Sequence, residues 1–385
     1  MDCLRAIWDG SVIYMNNAAS AWPKAPGVSD AVRGALDRPP IETGRASMDG
    51  EDMVADCRRM LARLLRVTDT DRIVITQHAT AALNLALRGL RLPRRARIVS
   101  SVVEHNSVLR PLEHLCRERK YRVVHVGLDR SGSLDMEKFR AALAKRPALV
   151  VLNHISNVNG LILDIASLFA EAKAGGALTL LDASQSLGLL PVHPGELNAD
   201  MVAFTGHKAT LGPEGVGGLY VSEGVELEQV LVGGTGIRSE MTIHPPEMPL
   251  RLEAGTYNIP ALAGWLAALS WLERHGHEHV ERASRLGTRL KQGLAAIHGV
   301  RLFVPEAPAW PGIVSLQIAK WPVAEVGYIL ARSFHVIART GLHCAPLMHH
   351  ALGSAPAGTV RLSLSGFNQE TDVERAIAAI TQLAA

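Results

Sequence analysis

Between residues 72 and 221 the chain repeats one pattern: a short apolar run, a polar or glycine-containing turn, then a stretch with helical spacing. The apolar runs fall at residues 72–76 (RIVIT), 97–101, 121–126, 148–153, 177–182, 201–205 and 217–221. A strand with one wet face alternates apolar and polar residues, whereas a nearly continuous apolar run belongs to a strand covered on both faces. Helical spacing over residues 79–90, 107–119 and 165–174 supplies the covers, the last closed by Gly175-Gly176 as a C-terminal helix signal. The expected fold class is therefore α/β, a mostly parallel seven-stranded sheet between helices.

The pattern changes after Ala254-Gly255-Thr256. Residues 260–274 are expected to begin a long helix, and residues 280–298 continue the helical pattern. Short strands at 314–318 and 359–364, a helix at 323–334 and a final helix from Thr371 complete a second, smaller α/β unit. Residues 15–255 are read as a large domain, and residues 1–14 with 256–385 as a small one. No internal repeat is visible.

A chain of 385 residues, 48% of them hydrophobic, can bury a large core, and its formal charge of +3, without a run of Lys or Arg, does not call for nucleic acid. No apolar stretch reaches the roughly 18 residues of a membrane span. The N-terminus MDCLRAIWDGSVIYMNN lacks the apolar core of a signal peptide. Cys3, Cys57, Cys116 and Cys344 are scattered without a CxxC pair, which argues against a disulfide framework or a metal site. A reduced, cytoplasmic enzyme with no metal, no membrane partner and no nucleic-acid partner is expected.

Several residues carry chemistry. Lys208, in TGHK after the apolar run 201–205, makes sense at the end of a buried strand if it forms a Schiff base with a cofactor; otherwise it simply emerges into solvent. Asp182, in LLDASQ, puts a carboxylate where α/β sheets bind ligands, and a carboxylate opposite a pyridine nitrogen keeps that nitrogen protonated. Alone, Asp182 also reads as a helix cap. In ITQHATAALN a strand runs straight into a helix, whose first N–H groups and the Thr80 hydroxyl suit a phosphate, although Thr there is commonly a cap. His105, in VEHNS, follows another strand end, where an imidazole can lie on a cofactor ring or serve a polar turn.

The motifs YMNNAAS, ITQHATAALN, VEHNSVLRP, HISNVNG, LDASQSLG, TGHKATLGPEG, RLEAGTYN, RTGLHCAPL and VRLSLSGFN follow one another across nearly the whole chain. In this order they resemble the class V aminotransferase group of fold-type-I pyridoxal-5′-phosphate (PLP) enzymes, and within it the NifS/SufS-like cysteine desulfurases. The resemblance implies PLP as cofactor, with Lys208 as its Schiff-base lysine, Asp182 as pyridinium partner and His105 stacked on the ring. It implies that Asn157 and Gln185 reach the phenolic oxygen, and that Ala79 (through its amide), Thr80, Thr205 and His207 hold the phosphate. Thr256 is similar to a threonine that a second subunit donates to that phosphate, which implies a homodimer. Arg361 would clamp the substrate carboxylate, with Arg339 and Asn17 as further substrate-binding residues.

Cys344 sets the subclass. The resemblance implies that it attacks the sulfur of L-cysteine, releasing L-alanine and keeping a persulfide. The attack needs a thiolate, for which His343, a helix N-terminus or the positive site are candidate stabilisers. The short RTGLHCAP loop is similar to the SufS-like branch and implies a partly buried persulfide approached by a sulfur-acceptor protein. A selenocysteine lyase, acting on selenocysteine with less need of Cys344, stays open, as does another PLP-dependent aminotransferase or carbon–sulfur lyase. Two positions depart from the family pattern: Asn16 stands where an acidic residue is frequent, and His78 where a small one is common beside the phosphate loop.

Overall fold

The computed structural model describes residues 12–39 and 52–385; residues 1–11 of the expected small-domain segment, with Cys3 and the N-terminal segment read above, lie outside the described residues. After β1 (Ile13–Tyr14), α1 (Val28–Leu36) and α2 (Met53–Leu65), the chain enters the alternating region. Its elements are β2 (Ile73–Thr76), α3 (Ala79–Gly89), β3 (Arg97–Ser101), α4 (Asn106–Arg119), β4 (Arg122–Val126), α5 (Met136–Leu143), β5 (Leu149–Asn153), α6 (Ile165–Ala174), β6 (Leu178–Asp182), β7 (Met201–Thr205) and β8 (Gly217–Val221). The seven strands form one sheet in the order β2-β8-β7-β6-β5-β3-β4. Only β8 runs against its neighbours β2 and β7; the remaining pairs are parallel.

The apolar runs are nearly continuous because both sheet faces are covered. Along β5, β6 and β7, Val150, Leu152, Leu181, Val202 and Phe204 enter one buried cluster. Their chain neighbours Leu149, Val151, Leu180, Met201 and Ala203 enter a second cluster on the opposite face. Burying each of the larger side chains contributes about 1.5–3 kcal/mol. Since parallel strands end on the same edge, Ser101, Asn153, Asp182 and Thr205 all sit at carboxyl ends of the sheet. Chain order reverses across β3, between β4 and β5, which makes this edge a ligand-binding crevice.

The two helical stretches expected over 260–298 are one helix, α7 (Ile259–Ala295). Pro260 sits in its first turn, where a missing N–H costs nothing, and the side chain of Asn258 accepts from Ala261 N at 3.2 Å. Its first half buries Ala261, Leu262 and Trp265 in the core of the large sheet, and its second half buries Leu286, Leu290 and Leu294 in another cluster. That second cluster also holds residues of β9 (Val300–Leu302), β10 (Ile313–Ile318), α8 (Val323–Ser333), β11 (Val336–Ile337), β13 (Thr359–Ser363) and α10 (Glu370–Ala384). Its four-stranded antiparallel sheet runs β12-β13-β10-β9, where β12 is Arg339–Gly341, and α9 (Pro346–Ala351) follows β12. Strand β1 pairs in parallel with β11. No helix among the described residues is long and apolar enough to cross a membrane.

Candidate active site

The carboxyl edge of the large sheet and the loop after β12 enclose a cavity of about 220 Å3. Eleven of the site residues expected from the sequence line it: Ala79, Thr80, His105, Asn157, Asp182, Gln185, Thr205, His207, Lys208, Arg339 and Cys344. The other three do not. Asn17 is buried next door, where its amide donates to Ser363 O at 3.0 Å and its Oδ1 accepts from Trp22 N at 3.1 Å. Thr256 is exposed on the loop before α7. Arg361 lies behind Asn157, donating from Nη1 to the Asn157 carbonyl at 2.7 Å.

Lys208 is carried by a turn whose shape does not depend on its own side chain. Gly212 N donates to Gly206 O at 2.8 Å, and Thr210 Oγ1 donates to the same carbonyl at 2.9 Å. Trp265, fully buried on α7, donates from Nε1 to Thr210 Oγ1 at 3.1 Å. A Cβ on Gly212 would lie 2.5 Å from the Trp265 ring, so this close approach requires glycine. Burial in the cleft lowers the Lys208 amine from 10.5 to about 8; Asp182 opposes that fall, while Arg361 and Arg339 add to it.

Asp182 ends β6, and its Oδ1 accepts from Ser184 N at 2.9 Å. No helix follows before β7, so the residue is not a helix cap; its side chain caps the turn after β6 and lines the cavity. His105 caps α4: its Nδ1 accepts from Ser107 N at 3.1 Å, so the proton of the neutral ring sits on Nε2. Burial, with Lys208 next, holds this imidazole below its ordinary range. Ser107, not anticipated from the sequence, joins two candidates, since its hydroxyl is 2.8 Å from both Thr80 Oγ1 and His105 Nδ1. His78 occupies the N-cap of α3 and accepts from Ala81 N at 3.1 Å, leaving Ala79 and Thr80 at the open first turn of the helix.

Four lining residues carry buried polar atoms with no partner among the described residues: Asn153 Oδ1, Asn157 Oδ1, Thr205 Oγ1 and His207 Nδ1. Such atoms cost free energy unless something else engages them. Gln185 is tied by its amide to Ala18 O at 2.8 Å. Beneath the strand ends, Glu104 is fully buried; its Oε1 accepts from Ser101 Oγ at 2.6 Å, and burial raises its carboxyl to about 8.

Cys344 enters from the loop between β12 and α9. Arg339 Nη2 donates to its Sγ at 3.6 Å. The sequence neighbour His343 does not serve this sulfur: its Nε2 lies 2.9 Å from Thr359 Oγ1, and burial with Arg361 pushes the ring down to about 2, leaving it uncharged. The reason is backbone geometry. His343 (φ 48°) and Cys344 (φ 59°) are both left-handed, which turns the two side chains apart. The loop is tied down by Asn106 N donating to Cys344 O and Asn157 Nδ2 donating to His343 O, each at 2.7 Å. No group of three or more His, Cys, Asp or Glu among the described residues is arranged to hold a metal.

The family model for class-V aminotransferases matches residues 13–376. The chain is similar to a probable cysteine desulfurase of Methanothermobacter thermautotrophicus, 33% identical over 311 residues, which span 79% of this chain and 77% of that one. It is also similar to a probable cysteine desulfurase of Pyrococcus abyssi, 30% identical, with 97% of this chain and 94% of the relative covered. Among solved structures, the apo cysteine desulfurase from Thermococcus onnurineus NA1 superposes with a TM-score of 0.89 at 29% identity, covering 97% of this chain and 95% of that one. The chain belongs to the class-V aminotransferase family, in its cysteine desulfurase group.

Proposed function

We propose that this enzyme binds pyridoxal phosphate and converts L-cysteine to L-alanine, moving the sulfur onto Cys344 as a persulfide. One observation carries the reading. Lys208, Asp182 and the Arg339–Cys344 pair share a cavity whose walls also hold Asn157 Oδ1, Thr205 Oγ1 and His207 Nδ1 without partners. These unpaired atoms, the open first turn of α3 and the lowered Lys208 amine fit a phosphorylated pyridine aldehyde.

When bound, pyridoxal phosphate supplies an electron-accepting ring that makes the Cα proton of an amino acid removable. Lys208 would hold it covalently, Asp182, His105, Asn157 and Gln185 would hold the ring, and Ala79 N–H, Thr80, Thr205 and His207 the phosphate. Neutral His105 does not compete with Asp182 for charge at the ring. Lys208 Nζ, once free, takes the Cα proton of the substrate, a transfer suited to an amine near 8. Arg361 binds the substrate carboxylate, and Cys344 Sγ, facing the Arg339 guanidinium, attacks the substrate sulfur. The Cβ–S bond breaks, an S–S bond forms on Cys344, and protons return to the carbon product. Thr256, exposed before α7, is read as a residue lent to the phosphate of a second subunit in a homodimer. The tied-down cysteine loop favours handing sulfur to an acceptor protein rather than shedding it to small thiols. The division into domains at about residue 255 belongs to the same reading.

The Lys208 amine gives a pH test with a defined sign. A lysine adds to an aldehyde only when unprotonated, so uptake of pyridoxal phosphate by the apoprotein should accelerate as pH rises through about 8 and level off above it. Stopped-flow absorbance reads this directly; a midpoint near the ordinary 10.5 contradicts the buried-amine assignment. The reaction class is read from products: holoenzyme with L-cysteine should yield alanine and no pyruvate, and pyruvate as the main product would favour a carbon–sulfur lyase instead.

A further inference from the structure

Arg361 is wholly buried, and no carboxylate among the described residues pairs with it. It stands mid-strand on β13, directly opposite Arg339 on β12 in the antiparallel register. The titratable groups that act on it most are Arg339, Tyr14 and Cys344, with no Asp or Glu among them. Its hydrogen bonds are all to neutral oxygens: Nη1 to the Asn157 carbonyl at 2.7 Å and Nη2 to Asn16 Oδ1 at 3.1 Å. Its Nε is buried without a partner. Burial first, and Arg339 second, lower this guanidinium from 12.5 to about 9, as befits a cation short of anions. A buried cation in this condition is costly unless an anion arrives to complete it.

Asn16 is well fixed for a single task. Its backbone bridges to Ser363 on β13, and its carbonyl accepts from Ala19 N at 3.0 Å. The amide oxygen thus meets Arg361 Nη2 from a pinned position. An aspartate would fill almost the same space and accept the same hydrogen bond. It would also bring a resident negative charge, and a carboxylate–guanidinium contact is among the strongest side-chain pairs.

We propose that Asn16 is a positioning residue that orients Arg361 while leaving its charge unneutralised, so that the guanidinium's demand for an anion is met by the substrate carboxylate. The proposal rests on the reading of Arg361 as the carboxylate-binding residue. Arg361 and Arg339 lie opposite each other on neighbouring strands, and neither is matched by an acid among the described residues, which leaves the substrate carboxylate to balance them. Asn16 therefore sets how strongly the enzyme prefers ligands that carry a carboxylate.

The test uses the holoenzyme and its Asn16→Asp variant. The KM for L-cysteine should rise at least about tenfold, equivalent to about 1.4 kcal/mol, while kcat stays within about threefold and the cofactor absorbance is unchanged. The inhibition constant of cysteamine, which lacks the carboxylate, should not move, a selectivity that general loosening of the fold would not produce. Asn16→Ser, neutral but too short to reach Arg361 Nη2, tests the orienting role even where Asn16→Asp fails to fold: its KM should rise, though less than in Asn16→Asp, and an unchanged KM overturns that role. An equal rise in KM for the serine variant overturns the charge argument. Arg361→Ala is measured in parallel. If it raises KM and Asn16→Asp does not, the proposal alone fails; if neither variant raises KM, the reading of Arg361 fails and takes the proposal with it.

Discussion

Cys344→Ala is expected to lower alanine formation from L-cysteine at least about a thousandfold, with the cofactor absorbance intact. No other described cysteine can replace it. Cys57 is buried against Leu262 on α7, where burial raises its thiol to about 12, and Cys116 is on α4; neither lines the cavity. The variant should fold, because the ties of the loop run through backbone atoms and the Asn157 side chain rather than through the sulfur. Steady-state alanine assays with absorbance spectra check both halves. Retention of more than about a tenth of the activity would remove Cys344 from the chemistry.

Lys208→Ala should be the more severe loss, on the order of ten-thousandfold or more, because one side chain serves as both cofactor anchor and proton carrier. Here the absorbance of the covalently held cofactor disappears as well, which separates this variant from Cys344→Ala. The fold gives a reason to expect a chemical defect and no collapse. Gly206, Thr210, Gly212 and Trp265 shape the turn without help from the lysine side chain. Removing an amine that burial already disfavours should leave the melting temperature of the apoprotein unchanged or higher. A folded Lys208→Ala protein that still turned over L-cysteine would contradict the assignment.

The large sheet was legible because its strands are covered on both faces, which writes them as apolar runs; 97–101, 201–205 and 217–221 match β3, β7 and β8 end for end. Elements outside that logic were not anticipated. Helices α1, α2 and α5 are amphipathic pieces set among charged residues, and β1, β9, β11 and β12 span only two or three residues, too few for a period to show. The long helix read from 260 with its pattern continuing over 280–298 is the single α7, held helical through its polar middle around Gly276 by tertiary packing on both halves.

At the site, motif order pointed to Lys208, Asp182, His105 and Cys344, and the fold gathers them in one cavity. Contacts between distant segments were not readable. The brace of Trp265 on Thr210 spans two elements, and the Asn16–Arg361 contact joins residues 345 positions apart. Adjacency in sequence misled at His343, where two left-handed residues in succession turn the imidazole away from the sulfur it precedes. Asn17 was also singled out, yet its amide is engaged by Ser363, Tyr14 and Trp22 and lines a neighbouring apolar pocket.

The central claim is that sulfur passes from L-cysteine to Cys344. A single turnover of holoenzyme with one equivalent of L-cysteine, followed by intact-mass and peptide mass spectrometry without reductant, tests it most directly. The account predicts one alanine released and the mass of one sulfur atom gained on the peptide carrying Cys344. Alanine released with no added sulfur on that peptide, or sulfur found on another cysteine, would contradict it.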